Sequence, residues 1–65
     1  MTSFANQIFR YRYDHGLTQK ALAAKLGMNQ SSISDWENGI RYPSAQSFRK
    51  LKEITGYEFT LSGEL

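Results

Sequence analysis

The stretch "LTQKALAAKLGMNQSSISDWENG", residues 17–39, decides the fold. Thr18 is a good N-cap, because its hydroxyl can accept a hydrogen bond from an unpartnered amide of the first helical turn. Gln19 to Leu26 contains only good helix formers. Leu22, Ala23 and Leu26 give that helix an apolar face, and Gly27 ends it. Asn29 sits at a second N-cap position. The helix it opens runs to about Glu37, with Ile33 and Trp36 as its apolar pair. Asn38-Gly39 is a strong terminator and turn signal. The spacing predicts two short helices meeting at the tight turn Gly27-Met28-Asn29. Such a crossing makes three demands. The earlier helix needs a small residue where the later one passes closely, and Ala23 supplies it. The turn needs a residue that accepts a left-handed backbone, and Gly27 supplies it. The later helix must bury two residues, and Ile33 and Trp36 do so.

Working outward, residues 3–14 read as another helix with Ser3 as its N-cap. Phe4, Ile8, Tyr11 and His15 share one face of it. Phe9 and Tyr13 form a second aromatic pair, beyond what one buried face requires. Gly16 stops this helix. On the other side, Ile40-Arg41-Tyr42-Pro43 is a loop. Ser44 caps a fourth helix from about Ala45 to Ile54, with Phe48, Leu51 and Ile54 as its apolar stripe, and Gly56 ends it. From Tyr57 the period changes to two. Tyr57, Phe59 and Leu61 alternate with Glu58, Thr60 and Ser62, as in a short strand.

The bulk properties exclude several classes. Sixty-five residues support one domain, read as a helical unit over 1–56 and a dimerisation tail over 57–65. A chain this small is marginal alone. With no cysteine and one histidine, no disulfide or zinc site is expected to support it. There is no transmembrane run or signal-peptide layout, so a cytoplasmic protein without membrane contact is expected. Eight Lys/Arg against six Asp/Glu give +2, a mild bias toward acidic partners such as nucleic acid. No nucleophile–base pair, carboxylate pair or phosphate loop points to an enzyme. No cofactor or small-molecule ligand is expected.

Two helices at this spacing form a helix-turn-helix, whose second helix enters the major groove when the motif binds DNA. The longer stretch "LTQKALAAKLGMNQSSISDWENGIRYPS" resembles the phage-repressor and Cro-type helix-turn-helix family, the xenobiotic-response-element group. The most telling pieces are "TQ", "LG", "IS-x-WENG" and "PS". The resemblance implies an all-α, lambda-repressor-like bundle of four or five helices. It also implies a dimer bound to pseudo-palindromic, double-stranded operator DNA. Carried over by position, Gln30, Ser31, Ser34 and Asp35 match base-reading positions. Glutamine suits adenine and aspartate can accept from cytosine N4. Ser32 reads as a capping or packing residue. Thr18 and Gln19 match a phosphate contact at a helix N-terminus, where Gln19 also braces a base contact. Asn38, Arg41 and Tyr42 match loop positions that hold the DNA backbone. Glu37 matches an acid that the family pairs with an arginine late in the first helix, here Arg12. Arg10, Lys20, Lys25 and Lys50 are further cations available to phosphates.

The tail departs from the commonest family pattern, in which a fifth helix follows. One strand cannot stand alone, so Tyr57, Phe59 and Leu61 are expected to pair with the same segment of a second copy. The alternative is a short fifth helix. A similar strand-ended version occurs among antitoxins that partner kinase-type toxins. Two functional readings follow: a dimeric repressor, or an antitoxin that binds a toxin and regulates its own operon. The excess aromatics Phe9 and Tyr13 suit either a protein partner or an ordinary surface.

Overall fold

Local capping sets where each helix begins. In the computed structural model, which describes residues 3–61, Ser3, Thr18 and Ser44 adopt extended backbones. Their hydroxyls accept from the amides of Asn6, Ala21 and Ser47. The helices that follow are α1 (Phe4–Asp14), α2 (Gln19–Leu26) and α4 (Ala45–Thr55). Between the last two lies α3 (Gln30–Glu37). Asn29 holds the extended N-cap backbone there, but its side chain makes no cap bond.

The turn between α2 and α3 is a Schellman motif. Gly27 is left-handed, with φ of 67°. Its N–H donates to the Ala24 carbonyl and that of Met28 to the Ala23 carbonyl. The motif satisfies two carbonyls at the helix end and turns Met28 onto the core. The end of α3 repeats the pattern, with the N–H of Gly39 on the Trp36 carbonyl and that of Ile40 on the Asp35 carbonyl. Each turn is thus specified by a glycine followed by an apolar residue.

The helices close around one core: Phe4, Ile8 and Tyr11 of α1, Leu22, Ala23 and Leu26 of α2, Ile33 and Trp36 of α3, and Leu51 of α4. Phe4 is its hub. Its ring meets those of Trp36 and Phe59 edge-on, at centroid distances of 5.8 and 6.1 Å, and tilts against Phe48 at 6.2 Å. Such edge contacts add about 0.5–1.5 kcal/mol each beyond area burial. Two residues in line with the apolar faces lie further out. His15 is exposed and stacks on Tyr11, with centroids 4.0 Å apart. Ile54 is also exposed, so α4 is anchored by Leu51 with Phe48 half-buried beside it. His15 is the C-cap of α1, and Ile54 lies in the last turn of α4.

Residues 57–61 form no fifth helix, and no strand ladder occurs among the described residues. Residues 62–65 of the expected dimerisation tail lie outside them. The period-two alternation instead turns Phe59 into the chain's own core, 2% exposed, while Tyr57 and Leu61 stay outside. Phe59 is therefore a core residue and offers no surface to a second copy. The Gln7 side chain of α1 does what a neighbouring strand would do. Its Oε1 accepts from the Thr60 N–H at 2.9 Å. Its Nε2 donates to the Thr60 carbonyl at 3.2 Å and to its Oγ1 at 2.9 Å. One side-chain amide satisfies both backbone groups of Thr60, so the extended tail persists without a ladder.

Phe59→Ala should therefore destabilise the fold by about 3 kcal/mol, the cost of an aromatic-sized core cavity. Tyr57→Ala should cost under about 1 kcal/mol. Urea unfolding of the two variants at equal concentration checks the difference.

Candidate nucleic-acid interface

The motif residues meet at one carboxylate. Arg12, in the last turn of α1, donates through Nε to Glu37 Oε2 at 2.6 Å and through its second terminal nitrogen to Oε1 at 3.0 Å. Its remaining nitrogen donates to the Leu17 carbonyl at 3.0 Å. The side chains are only 17% and 7% exposed. This two-point geometry suits a guanidinium and a carboxylate and is among the stronger polar contacts a protein makes. Arg12 also lies over the Phe9 ring, 5.4 Å from its centroid.

Glu37 has a further partner. Gln19, the first residue of α2, donates through Nε2 to Glu37 Oε1 at 3.0 Å. The Gln19 oxygen accepts from Gln30 Nε2 at 3.3 Å. A single polar chain thus runs from the α1–α2 turn through the buried ion pair to the first residue of α3. Burial pushes the Glu37 carboxyl up, but hydrogen bonds from Arg12 and Gln19, together with the Arg12 charge, outweigh it. The net pKa lies below the ordinary 4.5. The hydrogen bond to Glu37 raises the Arg12 guanidinium against the opposing effect of burial, and Glu37's charge adds to the rise.

The outer face of α3 carries Gln30, Ser31, Ser34 and Asp35, opposite the buried Ile33 and Trp36. Three of the four are tied down. Gln30 rests on Gln19, Ser34 accepts from Asn38 Nδ2 at 3.3 Å, and Asp35 Oδ2 lies 3.4 Å from Arg41 Nε. Ser31 has no such partner among the described residues. Ser32 lies beside this face, its amide on the Asn29 carbonyl at 3.1 Å. Thr18 caps α2, leaving the Gln19 and Lys20 amides as the open N–H groups of its first turn. Arg41 and Tyr42 are both exposed on the loop after α3. The Tyr42 ring also tilts against Phe4, with centroids 6.2 Å apart.

Sequence reasoning missed two features. The Asn29 side chain, free of its capping bond, stands exposed at the start of α3. An N-cap signal reveals the position but not whether the side chain is used. The Asp35–Arg41 pair was also missed, because no helical spacing joins a helix residue to the loop beyond it.

A family model described as "Helix-turn-helix" matches residues 8–61. The chain belongs to the Cro/CI-type helix-turn-helix family. This is a DNA-binding regulatory family, not an enzyme family. Two relatives are named Antitoxin HipB. The chain is 35% identical over 60 residues to that of Escherichia coli O6:H1 (strain CFT073), covering 92% of this chain and 64% of the relative. It is 33% identical over 60 residues to that of Escherichia coli (strain K12), covering 92% and 68%. A third relative, "Putative multi-protein-binding factor 1" of Yarrowia lipolytica, is 33% identical over 54 residues, covering 83% and 36%. The chain thus spans from about a third to about two thirds of the length of these relatives.

The ion pair ties this family motif to pH. Glu37's depressed pKa means that the unfolded chain binds its proton more readily. The pair's contribution is then complete above the unfolded-state value and is lost as pH falls through the lower folded-state one. Wild-type stability should fall on acidification below about pH 4.3, and this part of the fall should vanish in Glu37→Gln. Arg12→Ala, which leaves the Glu37 carboxylate without its cation, should cost about 3 kcal/mol at neutral pH. Denaturant midpoints measured across pH check both.

Proposed function

We propose that the protein is a sequence-specific, operator-binding transcriptional regulator, a repressor that reads the major groove with α3. The observation that carries this reading is the braced outer face of α3. Gln30, the residue best suited to adenine, is held by Gln19, which is held by the Arg12–Glu37 pair. Bracing removes side-chain freedom before binding, so less is lost on contact. Phosphate attraction falls to groups outside α3: the open amides of Gln19 and Lys20, the loop of Asn38, Arg41 and Tyr42, and Lys20, Lys25 and Lys50. Arg10 is partly occupied by Asp14, 3.6 Å away.

Binding is to double-stranded, pseudo-palindromic operator DNA by a homodimer, with the α3 helices about 34 Å apart. Tyr57 and Leu61 are the exposed tail residues that suit a second copy. Leu61 borders a groove lined by Ala45, Phe48, Arg49, Lys52 and Glu53. No helix among the described residues is long and apolar enough to cross a membrane, which accords with work on DNA in the cytoplasm.

A second reading, an antitoxin that also binds a toxin and regulates its own operon, is favoured by a specific surface. Phe9 and Tyr13 stack on the outside of α1, 50% and 73% exposed, and the relatives named Antitoxin HipB point the same way. Co-purification of a second protein from the native host, lost in a Phe9→Ser, Tyr13→Ser variant, separates this reading from a repressor acting alone.

Selection of bound duplexes from a random pool tests the main reading. Wild type should enrich a two-fold symmetric sequence. Gln30→Ala should relax one base position per half-site, at about 1–3 kcal/mol. Lys20→Ala should weaken all sequences alike and lower the salt slope by about one. Enrichment of no sequence by wild type would overturn the proposal.

A further inference from the structure

Asp35 is the one acidic side chain on the outer face of α3, a face otherwise made of neutral Gln and Ser. An uncompensated carboxylate there would oppose every phosphate that approaches. The structure gives it a dedicated cation. Arg41 Nε lies 3.4 Å from Asp35 Oδ2. The loop also bends back so that the Ile40 and Arg41 amides both donate to the Asp35 carbonyl, at 2.9 and 3.3 Å. Backbone and side chain hold Arg41 over the same residue, so the pairing is built into the turn. Asp35 is 33% exposed and Arg41 74%. The arginine is the more exposed partner, on the loop, and the aspartate the less exposed one, on the helix.

We propose, resting on the DNA-binding reading above, that Asp35 and Arg41 form a coupled specificity device. On DNA without a suitable base, Asp35 keeps Arg41 as its counter-ion, and the arginine adds little to phosphate binding. Where a base pair presents the N4 amino group of cytosine to Asp35, the carboxylate gains a donor from the base. Arg41 is then released to a neighbouring phosphate. One base therefore controls two contacts, a hydrogen bond in the groove and a charge on the backbone. The pair also lessens attraction to non-cognate DNA, because binding there must either leave the carboxylate uncompensated or forgo one cation. Specificity obtained by penalising the wrong partner is a general strategy.

The test uses the full chain and two duplexes: one selected by wild type from a random pool, and a scrambled duplex of the same length and composition. Asp35→Asn keeps the side chain's shape and removes its charge. It should raise affinity for the scrambled duplex several-fold. It should also steepen the salt dependence on that duplex by about one counter-ion. Affinity for the selected duplex should not rise, so the preference between the two falls by about tenfold, in line with one lost base contact. Cytosine preference should disappear at one position per half-site. Arg41→Gln should lower the salt slope by about one on the selected duplex and leave it unchanged on the scrambled one. In the Asp35→Asn background it should lower the slope on both.

Two outcomes overturn the device while leaving DNA binding intact. In one, Asp35→Asn lowers affinity for both duplexes equally with an unchanged salt slope, as an arginine bridging carboxylate and phosphate would require. In the other, the two substitutions act additively on the salt slope of the scrambled duplex. A wild type that shows no preference between the duplexes overturns the function reading and the device together.

Discussion

The Arg12–Glu37 ion pair is the interaction on which the arrangement of this molecule depends. α3 is short and buries only Ile33 and Trp36, too little to fix both ends of a helix by packing alone. The pair holds its C-terminal end to α1. The same arginine reaches the Leu17 carbonyl at the α1–α2 turn, and the same glutamate receives Gln19 from the start of α2. Three helices are therefore referenced to one carboxylate. A buried pair gains little over an apolar replacement, because desolvation offsets the attraction. Its value lies in geometry, since a forked donor on a carboxylate admits few arrangements.

That geometry accounts for the character of the outer face of α3, which carries no cation. Phosphate contacts supply affinity and position, while base contacts supply choice. In the proposed reading these tasks fall to different elements. The open first turn of α2 and the loop after α3 suit the backbone, and the neutral polar face between them suits base edges. A glutamine held at one end by Gln19 and a serine held at the other by Asn38 present a surface already ordered before DNA arrives. With no arginine or lysine on α3, guanine recognition through a bidentate cation is absent from this helix. In the proposed reading, its choices would rest on adenine, cytosine, thymine methyl groups and DNA shape.

The helices and the motif were legible in the sequence because their causes are local. Thr18 and Ser44 cap within three residues, Gly27 and Gly39 sit where the chain turns, and the apolar spacing selects the buried faces. The fate of the tail was not legible. Alternation revealed that Phe59 lies opposite Glu58 and Thr60, but not what would cover it. The cover is the chain's own α1, with Gln7 pairing to Thr60 across 53 positions. Within the chain a side-chain amide bonds the backbone of the extended tail, which no periodicity announces. His15 shared a helical face with Ile8 and Tyr11, yet as the C-cap of α1 it stays exposed against the Tyr11 ring. Within the candidate site, the resemblance implied the positions, the Arg12–Glu37 pair and a bracing role for Gln19, but not which residue Gln19 holds or that Asp35 meets Arg41. The Gln19–Gln30 bridge and the Asp35–Arg41 pair join residues on different elements, and only the packed fold brings them together.

The central claim is that the buried ion pair acts on base reading through Gln19 and Gln30. A double-mutant cycle on the DNA duplex selected by wild type tests it most directly, with Gln19→Ala, Gln30→Ala and the combined variant. The account predicts a coupling of about 0.5–3 kcal/mol, so that Gln19→Ala costs much less once Gln30 is already alanine. Additive losses, agreeing within about 0.3–0.5 kcal/mol, would contradict it, for then Gln19 would serve the DNA independently of the residue it is seen to hold.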